Sequence, residues 1–175
     1  MSILKLLYKD YCEYGKYSRF GIITLLNINF HININFRLSH LFYKIKLYPL
    51  AKIFWLFNRI LFCVDIEPGA NLAGGFVIIH GIGLVIGKYV ESLGPLKVYH
   101  GATIGANSLK ANEVDGKKIT MPKIDSNVIV GINSVVIGPI YIGKDARIGS
   151  NAVVTKDVEQ DAIIVGVNRN INIPK

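Results

Sequence analysis

Cysteine is almost missing from this chain. Cys12 and Cys63 stand far apart, in no metal-ligand spacing. That excludes a disulfide scaffold and points to a reduced, cytosolic setting. Charge is scarce too, at 18% of 175 residues against 51% hydrophobic. So apolar a composition calls for a face buried in partners or laid on a membrane. Long apolar runs are absent. Phe20 to Phe36 carries no charge but contains Asn27, Asn29, His31, Asn33 and Asn35, too polar for a spanning helix. Lys5 and Lys9 interrupt the early apolar run, so no secretory signal is expected.

Acidic residues are scarce in one place. Residues 1–60 hold nine Lys and Arg against Asp10 and Glu13, which is +7 of the total +8. A basic, aromatic-rich segment suits an anionic partner or the inner face of a membrane. No nucleic-acid partner is expected. The stretch Leu41 to Val64 reads as helical with a break at Pro49. Its apolar face packs on the rest of the fold or lies on a membrane surface. Asn27 to Phe36 alternates with period two and reads as a strand, or as a connector between helices.

What is abundant is a repeat. From Ile124 the chain runs in sixes, led by Ile124, Val130, Val136, Ile142, Ile148 and Val154. Each hexad makes a short strand and a turn, and three hexads close a triangular coil. The lead aliphatics point inward and stack, while parallel hydrogen bonds join successive coils. Small and turn-forming residues fill the corners. The product is a parallel β-helix. Ile66, Leu72 and Ile78 follow the same rule. The register then slips by two residues and resumes at Ile86, Ser92, Val98 and Ile104. His80 sits in the slip, in "IIHGIGLVIG". The polar run Asn107 to Met121 breaks the pattern and reads as a loop ejected from the solenoid, at a binding edge. The expected layout is a helical basic segment over 1–60, a β-helix over 61–167 with the excursion 107–121, and a tail over 168–175.

The motifs "VDIEPGA", "IIHGIGLVIG", "ATIGAN", "MPKIDSNVIVGINSVVIG", "IGKDARIGSNAVVTKDV" and "IIVGV" occur together and in order. On these the chain resembles the left-handed β-helix, hexapeptide-repeat acyltransferases over about residues 60–167, nearest the serine acetyltransferase branch. The resemblance implies left-handedness, a homotrimer, and acetyl-CoA bound between neighbouring coils. It implies that His80 is the general base and that Asp65 pairs with it. Geometry allows that pairing, because fifteen residues separate the two on an eighteen-residue coil. An imidazole titrates near neutrality and takes the proton of an alcohol as it attacks a thioester. The other reading of His80 is a corner histidine with a satisfied hydrogen bond. Ala106, Gly131, Ile132, Arg147 and Ser150 match positions that line coenzyme A in the family, with Arg147 suited to a phosphate. Lys110, Lys117 and Lys118 of the excursion overhang a neighbouring site or take no part.

Three departures bear on the acceptor. Ile79 stands where the family has an aspartate, and Thr120-Met121 stand where it has arginine and histidine. A zwitterion would go unpaired there, at a cost of several kcal/mol, so free serine is not expected as acceptor. The N-terminal segment resembles that of the polysaccharide and lipopolysaccharide O-acetyltransferases. The expected activity is therefore acetyl-CoA-dependent O-acetylation of a sugar hydroxyl, in the cytoplasm or at the inner membrane face. Serine O-acetylation and a non-catalytic trimeric scaffold are the alternatives. A zinc enzyme of this fold needs three histidines, and His31, His40, His80 and His100 offer no close second pair. No metal is expected. His100 falls two residues after Val98, as His80 falls two after Ile78, so the two should stack on adjacent coils. His100 then contacts acceptor or thioester oxygen, or is an idle edge residue.

Overall fold

The computed structural model describes residues 2–16, 21–107, 111–114 and 116–166. Four helices come first: α1 (Ile3–Gly15), α2 (Gly21–Leu26), α3 (Ile28–Lys44) and α4 (Tyr48–Phe62). Short parallel strands then stack into three sheets, one per face of the solenoid. The first face holds Asp65–Ile66, Val85–Ile86, Thr103–Gly105, Val135–Ile137 and Val153–Val154. The second holds Glu91–Ser92, Lys123–Ile124 and Tyr141–Ile142. The third holds Phe76–Ile79, Leu96–Tyr99, Val128–Val130, Arg147–Ile148 and Ile163–Ile164.

The sixfold register is realised. Ile66 pairs with Ile86 and Ile86 with Ile104, then Ile104 with Val136 and Val136 with Val154. All five are buried, as are Ile78, Val98, Val130 and Ile148 on the third face. Ser92 is the polar member of the inner rows. It too is buried, and its Oγ accepts the Ala73 N–H at 2.9 Å. The two-residue slip lies at the corner after Ile79, where His80 (φ 55°) and Gly83 (φ 74°) take left-handed conformations. The excursion is an antiparallel hairpin, Asn112–Val114 with Lys117–Ile119. Lys110 and the tail 168–175 lie outside the described residues, as do the contacts of the Lys117 side chain.

The strand expected over Asn27–Phe36 is a helix. Asn27 caps α3, its side chain accepting the Asn29 N–H at 2.9 Å. The buried stripe of α3 is largely polar, which is why apolar spacing misread it. Asn33, Arg37 and His40 recur at helical spacing on that stripe, and each meets a backbone carbonyl of the first coil. Asn33 Nδ2 donates to Phe76 O at 2.7 Å, and Arg37 donates to Leu72 O and Ala73 O at 2.6 and 2.7 Å. His40 Nδ1 lies 2.8 Å from Pro68 O. The break between the last two helices also falls earlier than expected. The chain turns at Lys46 (φ 62°), and Pro49 sits in the first turn of α4, where its missing N–H costs nothing.

This polar stripe has a task. Phe76–Ile79 ends the third sheet and has a strand on one side only. An uncovered strand edge is a liability. Here the Phe76 N–H donates to Asp10 Oδ1 at 2.9 Å and the Ile78 N–H to the Tyr14 hydroxyl at 2.8 Å. Helices α1 and α3 thus close the open end of the solenoid with side chains.

His40 carries a pH dependence. Burial lowers its pKa, against the bond to Pro68 O, and the charges of Lys44 and Arg37 lower it further. Between that depressed native value and the ordinary one near 6.5, the unfolded chain holds a proton that the native chain does not. Stability is therefore complete above the unfolded value and falls as pH drops through this window. Thermal melts at pH 7.5 and 5.5 should show a lower midpoint in acid. His40→Gln should make that difference smaller.

Candidate active site

The corner between the third and first faces carries a column of functional candidates. Ile78 pairs with Val98, Val98 with Val130, and Val130 with Ile148. Two residues further along each strand stand His80, His100, Ile132 and Ser150. The expected stacking of the histidines is realised, with ring centroids 6.0 Å apart and planes at 70°. His80 is exposed and holds a backbone conformation that non-glycine residues seldom adopt. Such strain gathers where geometry matters to function. His100 is half-buried, and its Nδ1 is buried with no hydrogen-bond partner among the described residues. An unmet buried ring nitrogen costs about 1–3 kcal/mol.

Beside His80 opens a cavity of about 300 Å³, walled by Ile28, Ile32, Leu61, Phe62 and Ile82. Three elements build it: the start and middle of α3, the end of α4, and the slip corner. Asn29 fixes the corner, its Oδ1 accepting the Gly81 N–H at 3.0 Å. A small acceptor could enter this cavity and present a hydroxyl to the imidazole.

Asp65 does not complete the expected pair. It lies on the first strand of the first face, but its Oδ1 accepts the Trp55 indole N–H at 2.8 Å. Its Oδ2 is 3.5 Å from the Arg59 guanidinium. Among the described residues no hydrogen bond joins it to His80. The reason is α4, which packs against that strand and brings Trp55 and Arg59 to the carboxylate first. Nothing in the local sequence signals this contact, since it spans two separate elements.

Of the positions matched to coenzyme A, Ile132 and Ser150 share the histidine column. Gly131 is buried at its inner edge, where a Cβ would come within 2.7 Å of Ile148 O. Arg147 is exposed on the third face, three residues before Ser150. Ala106 is exposed past the end of Thr103–Gly105, across the first face from the column. The structure therefore sets Gly131, Ile132 and Ser150 on or beside the histidine column, and Arg147 and Ala106 apart from it.

The three departures also find their places. Ile79 packs on the cluster of Tyr14, Phe30 and Val77. The Met121 sulfur accepts the Tyr89 N–H at 3.3 Å and lies against Gly87. Thr120 is exposed at the foot of the hairpin. None of them lines the cavity beside His80.

Residues 121–156 match the bacterial transferase hexapeptide (six repeats) family. The chain is 41% identical over 137 residues to a serine acetyltransferase of Mycobacterium tuberculosis, covering 78% of this chain and 57% of that protein. It is 32% identical over 165 residues to a Helicobacter pylori serine acetyltransferase, covering 94% of this chain and 91% of that protein. Among solved structures, Neisseria gonorrhoeae serine acetyltransferase in complex with serine aligns with a TM-score of 0.83 and 29% identity. That alignment covers 97% of this chain and 68% of the other. These findings overturn the expectation of a sugar acceptor, because relatives across several genera are serine acetyltransferases.

Proposed function

Because this chain belongs to the serine acetyltransferase family, a family of hexapeptide-repeat acyltransferases, we propose that it moves an acetyl group from acetyl-CoA to the hydroxyl of L-serine. The observation that carries this reading is the corner column, with an exposed His80 beside a small cavity and above His100. The serine Oγ attacks the thioester carbon, and the His80 imidazole takes the hydroxyl proton. The carbon–sulfur bond then breaks, and the imidazolium returns the proton to the leaving thiolate. O-acetylserine and coenzyme A are the products. The family resemblance adds a left-handed coil and a homotrimer to the proposal.

Acetyl-CoA runs along the column in this reading, with backbone at Gly131 and Ile132 and the Ser150 hydroxyl beside its pantetheine arm. Arg147 meets a phosphate. Ala106, across the first face, takes no part in holding the donor in this reading. Asp65 works at one remove. Tied to Trp55 and Arg59, it holds α4, and with it Leu61 and Phe62, as a wall of the acceptor cavity. His100 offers its unmet Nδ1 to an oxygen of acceptor or thioester.

Incubating the protein with acetyl-CoA and L-serine should release free thiol and yield O-acetylserine by mass spectrometry. Thiol release unchanged by leaving out serine would reject the reading. His100→Leu should slow transfer about 10- to 150-fold, the loss of one hydrogen bond to a developing charge being about 1.5–3 kcal/mol. His100→Gln, which keeps a polar terminus, should restore part of it. Equal rates in wild type and both variants would remove His100 from the mechanism.

A further inference from the structure

Helix α4 is apolar on two opposite sides. Its inner side is fixed to α3, where Ala51 O accepts the Ser39 hydroxyl at 2.7 Å and Asn58 Nδ2 donates to Ile32 O at 3.0 Å. Its outer side presents Leu50, Ile53, Leu56, Phe57 and Ile60, all exposed, with Ile60 at 68%. These recur at three- and four-residue steps and form one stripe along the helix. A helix apolar nearly all round belongs in a core or against a second apolar phase. The only charged strip is Lys52 and Arg59, folded over Trp55 at 3.9 and 4.8 Å from its ring centroid.

Charge decides what covers the outer stripe. No acidic residue occurs between Glu13 and Asp65, a stretch that includes Arg37, Lys44, Lys46, Lys52 and Arg59. Lys44 and Lys46 are exposed at the turn into α4, beside exposed Ile45 and Leu47, and form no ion pair among the described residues. A second copy packed α4 to α4 would set basic rim against basic rim. The nearest acids, Asp65 and Glu67, already lie 3.5 and 3.7 Å from Arg59 and Lys52. An anionic bilayer offers both what the stripe and what the rim require. Among the described residues no helix is long and apolar enough to cross a membrane, so the helix would lie in the surface.

We infer that α4 is an interfacial membrane helix. Its outer stripe enters the boundary between headgroups and acyl chains of an anionic bilayer, and Lys44 and Lys46 meet the lipid phosphates. The aliphatic stems of Lys52 and Arg59 extend the apolar face while their charges stay at the headgroups. This inference is independent of the reaction proposed above.

Flotation of the full chain with phosphatidylcholine vesicles, with and without phosphatidylglycerol, tests it. The wild type should float with the anionic vesicles, remain behind with the neutral ones, and be released by high salt. Phe57→Glu with Ile60→Glu should reduce the bound fraction at least tenfold. Both side chains are already exposed, and an unchanged circular dichroism spectrum checks the fold. Lys44→Glu with Lys46→Glu lies off the stripe and should weaken anionic binding without touching an apolar contact. The inference is overturned if the wild type ignores anionic vesicles, or if neither double variant changes binding. It is likewise overturned if the stripe variant instead shrinks the assembly seen by sedimentation, which would give the stripe to a second copy of the chain.

Discussion

His80→Ala is expected to lower the turnover of acetyl-CoA with L-serine by about 10²–10⁴-fold, the loss that follows removal of a general base. The size of the effect follows from position. His80 is the exposed imidazole at the head of the corner column, set there by a left-handed backbone at the two-residue slip. An alcohol is a poor nucleophile until its proton has somewhere to go, and no carboxylate lines the cavity to substitute for the ring. Because the ring is exposed and among the described residues receives no hydrogen bond, its removal should leave the melting temperature almost unchanged. Steady-state thiol release reads the kinetic effect, with kcat falling and KM for acetyl-CoA nearly constant. Retention of wild-type turnover would assign the proton transfer elsewhere.

Asp10→Ala is expected to destabilise the fold by about 3–5 kcal/mol, as when one partner of a buried ion pair is removed. Asp10 and Arg37 are both fully buried, with Arg37 Nε at 2.8 Å and Nη2 at 3.0 Å from the carboxylate. The same carboxylate accepts the N–H groups of Gly75 and Phe76 at 2.8 and 2.9 Å. The substitution would strand a guanidinium and two strand-edge donors away from water. Urea unfolding should report the loss as a lower midpoint. The variant should also weaken the cap on the first coil, leaving Tyr14, Asn33, His40 and the unpaired Arg37 to hold it. A midpoint within experimental error of wild type would mean that the helices do not seal the solenoid through this pair.

The solenoid was legible because its rule is local and repeated. Lead aliphatics at six-residue steps, a two-residue slip at His80 and a polar break at Asn107–Met121 each leave a mark on the sequence. The stacking of His80 on His100 followed from the same count. The N-terminal cap was not legible in this way. Its buried stripe is written in Asn33, Arg37, Ser39 and His40, residues that apolar periodicity scores as surface, while the alternation of Ile and Phe with polar residues over Asn27–Phe36 imitates a strand. The partners of Asp65 were hidden for another reason. Counting along a coil brings Asp65 near His80, but only the packing of α4 brings Trp55 to the carboxylate. The sugar acceptor inferred from Ile79, Thr120 and Met121 is overturned by the serine acetyltransferase relatives. In the folded chain Ile79 belongs to an apolar cluster and Met121 to the packing on Gly87, while Thr120 is solvent-exposed.

A crystal structure of the assembled protein with coenzyme A and L-serine bound would test the central claim most directly. The account predicts the serine hydroxyl within about 2.6–3.2 Å of the His80 imidazole, the reach needed for proton transfer, and the coenzyme sulfur beside the same corner, near His100 and Ile132. Serine held at a different corner, with the sulfur distant from both histidines, would contradict it.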